Sequence, residues 1–160
     1  MHCIILPMFK EVYGYEYDDA SEDDRILIQK STYLLECMGL DLGDFYFLLG
    51  KKGPYSLDLK NSIKEELKET ESIVLSLSEY AQDIVNSVKK ILEEGNGLGL
   101  NPRDCMELVC SIHFLKHNIT RENENVLVDL KKIKSYFAAD ATNNAMLNIV
   151  STIDKKGLYA

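Results

Sequence analysis

Three residues with metal-ligating side chains lie close together in the C-terminal half of the sequence. Cys110, His113 and His117 are three and four residues apart, so a helix places them on one face. A thiolate and two imidazoles are typical zinc ligands. However, the sequence reads HFLKH over 113–117, without the glutamate of an HExxH motif, and no fourth ligand is evident. We therefore interpret these residues as a packed helix face and predict no metal and no other cofactor.

No other motif indicates catalysis. The sequence has no GxSxG nucleophile elbow, and the spacing of its cysteines favours no cysteine–histidine pair. The glycines at 95, 97 and 99 resemble a phosphate loop, but they follow a predicted helix and lack the lysine of that motif. We expect a protein without catalytic residues. The enzymatic alternative is a metal-dependent hydrolase built on the Cys110, His113 and His117 set.

An acidic, tyrosine-rich stretch, here called the acidic segment (residues 13–24), precedes the first long predicted helix. Tyrosines alternate with carboxylates there, and tyrosine is enriched at protein interfaces. The segment does not follow the calcium-loop pattern. We interpret it as a surface for a basic partner protein. The residues proposed for this contact are Tyr13, Tyr15, Tyr17, Asp18, Asp19, Asp23 and Asp24.

Composition and charge restrict the class of protein. The chain has 160 residues, 46% of them apolar, and a net charge of −8, which makes a generic electrostatic nucleic-acid binder a poor interpretation. Residues 1–100 hold 10 basic and 19 acidic residues, whereas residues 101–160 hold 8 and 7, so the acidity belongs to the N-terminal part. The four scattered cysteines, the absence of a signal-peptide pattern and the lack of a long apolar run predict a cytoplasmic protein that does not enter a membrane.

Hydrophobic periodicity predicts a mainly α fold with a small β-hairpin. We expect one domain over 1–160, with an acidic helical and hairpin part at 1–95 and a three-helix, helix-turn-helix-like part at 101–157. A capping box at Ser21 begins a helix that ends near Met38, before a left-handed Gly39. Ser56 is expected to cap a further helix, and Pro102 to occupy a first helical turn.

Other element boundaries depend on weaker signals. The apolar runs 45–49 and 73–75 are the candidate strands, and we expect them to pair with each other. A capping box at Ser76 and Glu79 predicts the start of a helix that ends at Gly95. Thr120 and Asp140 are the expected caps of the last two helices.

Several segments resemble the YwgA-like family and, more distantly, the Panacea (SocA-like) antitoxin domain. The segments are IQKSTYLL at 28–35, GL at 39–40, GPYSLDL at 53–59 and MELVCSIHFL at 106–115. They are similar to the family's LQKxxYLL helix, its GPYS turn and its LELLASIxYL helix. The resemblance extends over residues 25–157. It implies a bacterial or phage protein that acts by contact with another protein, such as a toxin or defence effector, and it carries no catalytic residues.

The matched residues form what we call the motif corner: Gln29, Lys30, Tyr33, Gly53, Pro54, Tyr55 and Ser56. Two interpretations stay open for it. The corner is either a buried joint, in which the helix side chains satisfy the carbonyl groups of the turn, or a polar pocket that faces a ligand or partner. We favour the joint because buried polar groups are usually satisfied within the fold.

The sequence thus predicts a non-enzymatic protein-interaction module, antitoxin-like or phage-defence-associated, that masks or recruits a partner protein. The alternative function is a DNA-binding transcriptional regulator that uses the C-terminal three helices. Against it, residues 141–148 of the expected recognition helix carry no charged side chain, although phosphate contacts dominate DNA affinity. We therefore expect nucleic acid to be contacted only through the partner. The sequence leaves the oligomeric state undetermined.

Overall fold

The protein, in a computed structural model, is mainly helical with one antiparallel hairpin. The structure describes residues 4–69, 73–121, 125–133 and 140–155. The elements in chain order are α1 (Ile5–Tyr13), α2 (Glu22–Cys37), β1 (Leu48–Gly50), β2 (Gly53–Tyr55), α3 (Leu57–Leu67), α4 (Glu79–Gly97), α5 (Pro102–Asn118), α6 (Val126–Ile133) and α7 (Asp140–Asp154). The predicted fold class is confirmed. In the described residues, no helix is both long enough and apolar enough to cross a membrane.

The predicted start and end of α2 are confirmed. The Ser21 hydroxyl accepts a hydrogen bond from the Asp24 N–H at 3.1 Å, which is the N-cap expected of a capping box. After the last turn, Gly39 has φ +110°, a left-handed conformation that most residues with a Cβ avoid. The chain therefore leaves α2 where the sequence predicted.

One strand of the hairpin overlaps the predicted run at 45–49, whereas its partner is not the predicted run at 73–75. The strand β1 is shorter than the apolar run at 45–49, and it pairs with β2 in the register Leu48 to Tyr55 and Gly50 to Gly53. Residues 73–78 form no strand. A two-residue turn closes at a much smaller entropic cost than a loop of more than 20 residues, so the local partner is preferred.

The helix α3 fixes the start of α1. As predicted, Ser56 caps α3 by accepting from the Leu59 N–H at 3.2 Å. Near the other end of α3, the Glu66 carboxylate accepts the Ile5 and Leu6 N–H groups at 3.2 and 2.8 Å. A carboxylate at a helix N-terminus satisfies exposed donors and matches the helix dipole, so this contact determines where α1 begins.

The helix α4 differs from the prediction at both ends. Ser78, not Ser76, caps it by accepting from the Ala81 N–H at 3.1 Å. The helix also continues through Gly95 to Gly97. Gly95 is helical because it is a packing residue: a Cβ there would lie 2.3 Å from Cys105 Sγ. The glycine that resembles a helix end in the sequence is thus required for close contact between α4 and α5.

The helix α5 is the centre of the fold. Pro102 occupies its first turn as predicted, and eleven consecutive residues, Cys105–Leu115, are buried. It packs against α2, α4, α6, α7 and β2, so the predicted N-terminal and C-terminal parts share one core. The predicted cap at Thr120 is wrong, because its hydroxyl donates to Asp129 Oδ2 at 2.9 Å while α6 begins at Val126.

We predict that Gly95→Ala lowers the free energy of unfolding by about 1–3 kcal/mol, although alanine is the better helix former. The added methyl group overlaps Cys105 in the packed interface between α4 and α5. Gly97→Ala is the matched control, because a Cβ there meets nothing within 4 Å and a stability gain of up to about 1 kcal/mol is expected. Urea unfolding of both variants measures this, and equal effects would contradict the packing explanation.

Candidate functional site

The motif corner contains a hydrogen-bonded joint between α2 and the turn that leads into α3. The Gln29 amide donates to the Ser56 carbonyl at 3.0 Å and accepts the Ser56 N–H at 2.9 Å. Next to it, the buried Lys30 ammonium donates to the Pro54 carbonyl at 2.8 Å. These are the contacts expected of the joint interpretation, and they satisfy backbone groups that burial would otherwise leave without partners.

Gly53 lets α5 approach this joint closely. Its φ is +97°, and a Cβ at this position would lie 3.0 Å from Ser111 Oγ and 3.2 Å from Lys30 Cε. Glycine is therefore required at Gly53 for both backbone conformation and space. The buried Ser111 hydroxyl has no hydrogen-bond partner in the described residues.

Two residues of the predicted corner lie elsewhere. The Tyr33 hydroxyl is hydrogen-bonded to His113 Nδ1 at 2.7 Å, so it joins α2 to α5 instead of contacting the turn. Tyr55 is 41% exposed and takes no part in the joint. Sequence spacing placed Tyr33 on the helix correctly but carried no information about which neighbour its hydroxyl would meet.

Beside the joint is a cavity of about 520 Å³ between α2, the hairpin and α3. It is lined by six cationic side chains and two carboxylates, in a chain whose net charge is −8. The cations are Arg25, Lys30, Lys51, Lys52, Lys60 and Lys64, and the carboxylates are Asp19 and Glu22. We call this the cationic cavity. Its charge is opposite to that of the whole chain, and this local excess was not recognised from the sequence.

Some of these cations are engaged inside the protein and some face solvent. Lys52 forms an ion pair with Glu22, and an Arg25 guanidinium N–H donates to the Asp19 carbonyl at 2.7 Å. Lys60 and Lys64, four residues apart on α3, are exposed and form no salt bridge within the described part of the chain. These two ammonium groups are available to an anionic group that enters the cavity.

An apolar surface lies on the hairpin and the start of α3, next to the cationic cavity. Four large side chains there are 41–70% exposed: Tyr46, Leu48, Tyr55 and Leu57. They surround a shallow depression of about 250 Å³. We call this the hairpin surface. Tyr55 lines both it and the cationic cavity, so the two features form one continuous region.

The acidic segment is folded onto the protein by its own polar groups. Asp24 is only 5% exposed, and its carboxylate accepts the Tyr15 hydroxyl at 2.8 Å and the Asp18 N–H at 2.9 Å. Asp23 forms an ion pair with Arg103 at 2.8 Å. The sequence prediction counted Asp24 among partner-binding residues, but its burial and hydrogen bonds give it a structural role and make it inaccessible to a partner.

Contacts within the protein also hold the tyrosines of the acidic segment in place. The rings of Tyr13, Tyr15 and Tyr17 lie 4.6, 5.4 and 5.3 Å from that of Phe9 in α1. Their hydroxyls donate to the Leu27 carbonyl, Asp24 and Asp19, respectively. The alternation of tyrosine and carboxylate thus builds an aromatic contact between α1 and α2. Asp18 and Asp19 keep exposed side chains.

A second polar cluster joins α5 to α7. Asp154 Oδ1 lies 2.8 Å from His117 Nε2 and 3.3 Å from His113 Nε2, while Lys116 donates to Asp154 Oδ2 at 2.6 Å. Cys110 is not part of this cluster, because its thiol donates to the Lys30 carbonyl at 3.6 Å. The set of Cys110 with both histidines, which the sequence analysis considered as the enzymatic alternative, is therefore not assembled. Asp154 is 37 residues beyond His117, too far for sequence spacing to predict the contact.

Burial determines the protonation of the cysteines in the described residues. It raises the pKa of Cys37 and of Cys105 to about 12, and it raises that of Cys110 well above the usual range. At neutral pH these thiols are protonated, and a thiol is a weak nucleophile compared with a thiolate. The three residues therefore act as small apolar side chains.

The buried His113 and the half-buried Glu36 have pKa values shifted in opposite directions. Burial, together with the neighbouring His117, lowers the pKa of His113 to about 4. Burial raises the pKa of Glu36 to about 7, and its Oε1 has no hydrogen-bond partner among the described residues. At neutral pH His113 is consequently uncharged, and a substantial fraction of Glu36 is protonated.

No family model, curated protein or solved structure matches this chain.

We predict that Gln29→Ala lowers the free energy of unfolding by about 2–4 kcal/mol, because it leaves the buried N–H and carbonyl of Ser56 without partners. Gln82→Ala on α4 is the control. Among the residues that the structure describes, the Gln82 amide bonds only the exposed Asn86 side chain, so a change within about 0.5 kcal/mol is expected. Denaturant titration of both variants measures the difference, and a mild effect at Gln29 would show that the joint contributes little.

We also predict opposing pH dependences for His113 and Glu36. Unfolded His113 binds a proton near pH 6.5 and folded His113 only near pH 4, so this residue destabilises the fold by on the order of 3 kcal/mol as the pH falls through that window. Glu36 does the reverse: the folded form keeps a proton that the unfolded form releases between pH 4.5 and 7, so stability decreases as the pH rises.

Single variants separate these two contributions. On acidification from pH 7 to 4.5, Glu36→Gln should lose more stability than the wild type, and His113→Gln should lose less. Urea midpoints at both pH values provide the measurement. Identical pH dependences in all three proteins would contradict the assignment.

Proposed function

We propose that this protein is a non-enzymatic interaction module that masks or recruits a partner protein, of the antitoxin-like or phage-defence-associated kind. The resemblance in the motif segments supports a role through protein contact. The protonated state of the three described thiols accords with this, because it removes the nucleophile that an enzyme built on them would need. As a cytosolic toxin or defence effector is the expected partner, we place the protein in the cytoplasm.

The observation that carries the proposal is the hairpin surface. Isolated exposed apolar residues are common, but a cluster beside a polar rim is typical of protein-binding sites. Tyr46 and Leu48 are 70% and 61% exposed, and Leu57 is 60% exposed on the adjoining first turn of α3. Tyrosine at such a site adds a large contact area at a small entropic cost.

The charge beside the hairpin surface determines which partner fits. The cationic cavity adjoins the apolar side chains and offers the exposed ammonium groups of Lys60 and Lys64. We therefore propose that the partner presents a stretch of chain that bears both carboxylates and apolar side chains. The apolar residues would cover the hairpin, while the carboxylates would enter the cavity. Complementary charge mainly accelerates association and selects the partner.

The acidic segment is the competing surface for the same function. Asp18 and Asp19 are exposed and would suit a basic partner. However, Asp23 and Asp24 already hold internal contacts, so the segment has less free charge than its sequence indicates. We rank the hairpin surface first for this reason. Among the C-terminal helices, α5 is buried in the shared core, and no described feature favours the DNA-binding alternative.

The test uses the product of the gene adjacent to this one as the partner, since toxins and their antidotes are encoded together. We expect the wild type to bind it, and the double variant Leu48→Asp/Leu57→Asp to raise Kd at least about tenfold, which corresponds to a loss of about 1.4 kcal/mol. Lys60→Glu/Lys64→Glu should weaken binding in the same direction. All four side chains are exposed, so thermal unfolding should change little.

Glu16→Lys/Asp18→Lys is the matched control, with the same number of charge reversals on exposed residues of the acidic segment that do not line the cationic cavity. It should leave Kd within about twofold, the effect expected of charges outside the interface. If this control loses binding while the hairpin variants retain it, the partner binds the acidic segment and not the hairpin surface. A neighbouring gene product that does not bind the wild type would contradict the antitoxin-like proposal.

A further inference from the structure

The cluster between α5 and α7 brings three metal-ligating side chains to one point. In the described residues, His113, His117 and Asp154 are the group whose ligand atoms all lie within 4.8 Å of one another. The histidines are four residues apart, so successive turns of α5 present both rings on one face, and their centroids are 4.5 Å apart. The last residue of α7 supplies the carboxylate.

The distances are close to those of a tetrahedral site. Zinc–nitrogen bonds of about 2.0–2.1 Å place neighbouring ligand atoms about 3.3 Å apart. Asp154 Oδ1 is already 3.3 Å from His113 Nε2, and it is 2.8 Å from His117 Nε2. A small rotation of the His117 side chain would lengthen the shorter of these two distances. The side chains of His117 and Asp154 are 15% and 13% exposed, so an ion and a water ligand can reach them.

The surroundings of the cluster match those of known metal ligands. A metal-bound imidazole usually gives its other nitrogen a hydrogen-bond partner, which fixes the tautomer. His113 has such a partner, because its Nδ1 is hydrogen-bonded to the Tyr33 hydroxyl at 2.7 Å. Its Nε2 lies 3.3 Å from Asp154 Oδ1. Lys116 occupies Asp154 Oδ2 and leaves Oδ1 facing the histidines. The carboxylate is therefore oriented for one metal bond.

We propose that His113 Nε2, His117 Nε2 and Asp154 Oδ1 bind a divalent transition-metal ion of the zinc class, with water in the fourth position. Imidazole and carboxylate together suit zinc, cobalt or nickel. An imidazole nitrogen binds a metal ion only without a proton, so any proton on the two ligating nitrogens is released to solvent on binding. The ion ties the end of α7 to α5, so its role is structural, and the site is separate from the hairpin surface. Cys110, which the sequence analysis considered as a ligand, is not part of it.

Zinc titration of the metal-free full-length protein tests this proposal. We expect one equivalent to bind, and zinc at 100 times its Kd to raise Tm by about 5–10 °C. His117→Gln and Asp154→Asn should each raise Kd more than about 100-fold, since loss of an outer-shell partner alone costs about 10–100-fold. Tyr33→Phe removes the hydrogen bond to His113, and it should raise Kd by about 10–100-fold.

Cys110→Ala and His2→Gln are the controls, and both should bind zinc as the wild type does. Cobalt added to the wild type gives a second readout that needs no variant: nitrogen and oxygen ligands produce ligand-field bands without thiolate charge transfer. Absence of stoichiometric zinc binding would overturn the proposal. Zinc binding that survives in both His117→Gln and Asp154→Asn would also overturn it. The same holds for zinc binding that disappears in Cys110→Ala and for a thiolate band in the cobalt spectrum.

Discussion

A buried ammonium group requires partners inside the fold, and this requirement organises the centre of the protein. Lys30 lies on α2 with 2% exposure and donates to the Pro54 carbonyl, while the adjacent Gln29 satisfies both backbone groups of Ser56. An unpaired charge at this depth would cost several kcal/mol. The hairpin and the start of α3 are therefore fixed against α2, and Gly53 allows α5 to close over the joint. The hairpin surface and the cationic cavity both depend on this arrangement.

The distribution of charge in space differs from its distribution along the chain. The acidic segment is the most negative stretch of the sequence, yet Asp23 and Asp24 are used to hold α2, Arg103 and the preceding loop in place. The lysines of α3 and the hairpin turn, all within residues 51–64, meet Arg25 and Lys30 of α2 around one cavity. Net charge therefore describes long-range behaviour such as solubility, whereas the local potential at a surface determines which partner it attracts.

Local signals predicted much of the fold. Ser21, Ser56 and Pro102 begin helices as expected because caps and first-turn residues act within a few positions of themselves. The errors involve contacts distant in sequence. Gly95 has the sequence signature of a helix end but lies within α4, where it admits Cys105. The strand predicted at 73–75 is absent, and residues 53–55 pair with β1 instead. The contact of Asp154 with the two histidines is also distant in sequence, so residue spacing could not predict it. The hydrogen bonds of Gln29 and Lys30 were expected, whereas the cationic cavity was not.

The central claim is that the protein acts through the hairpin surface and the adjoining cationic cavity. Amide hydrogen exchange of the protein, free and bound to the neighbouring gene product, measures this directly because it reports which backbone segments a partner covers. The account predicts slower exchange on binding in residues 46–64 and unchanged exchange in residues 13–16, the part of the acidic segment that does not line the cavity. Slower exchange confined to residues 15–24, with the hairpin unaffected, would contradict it.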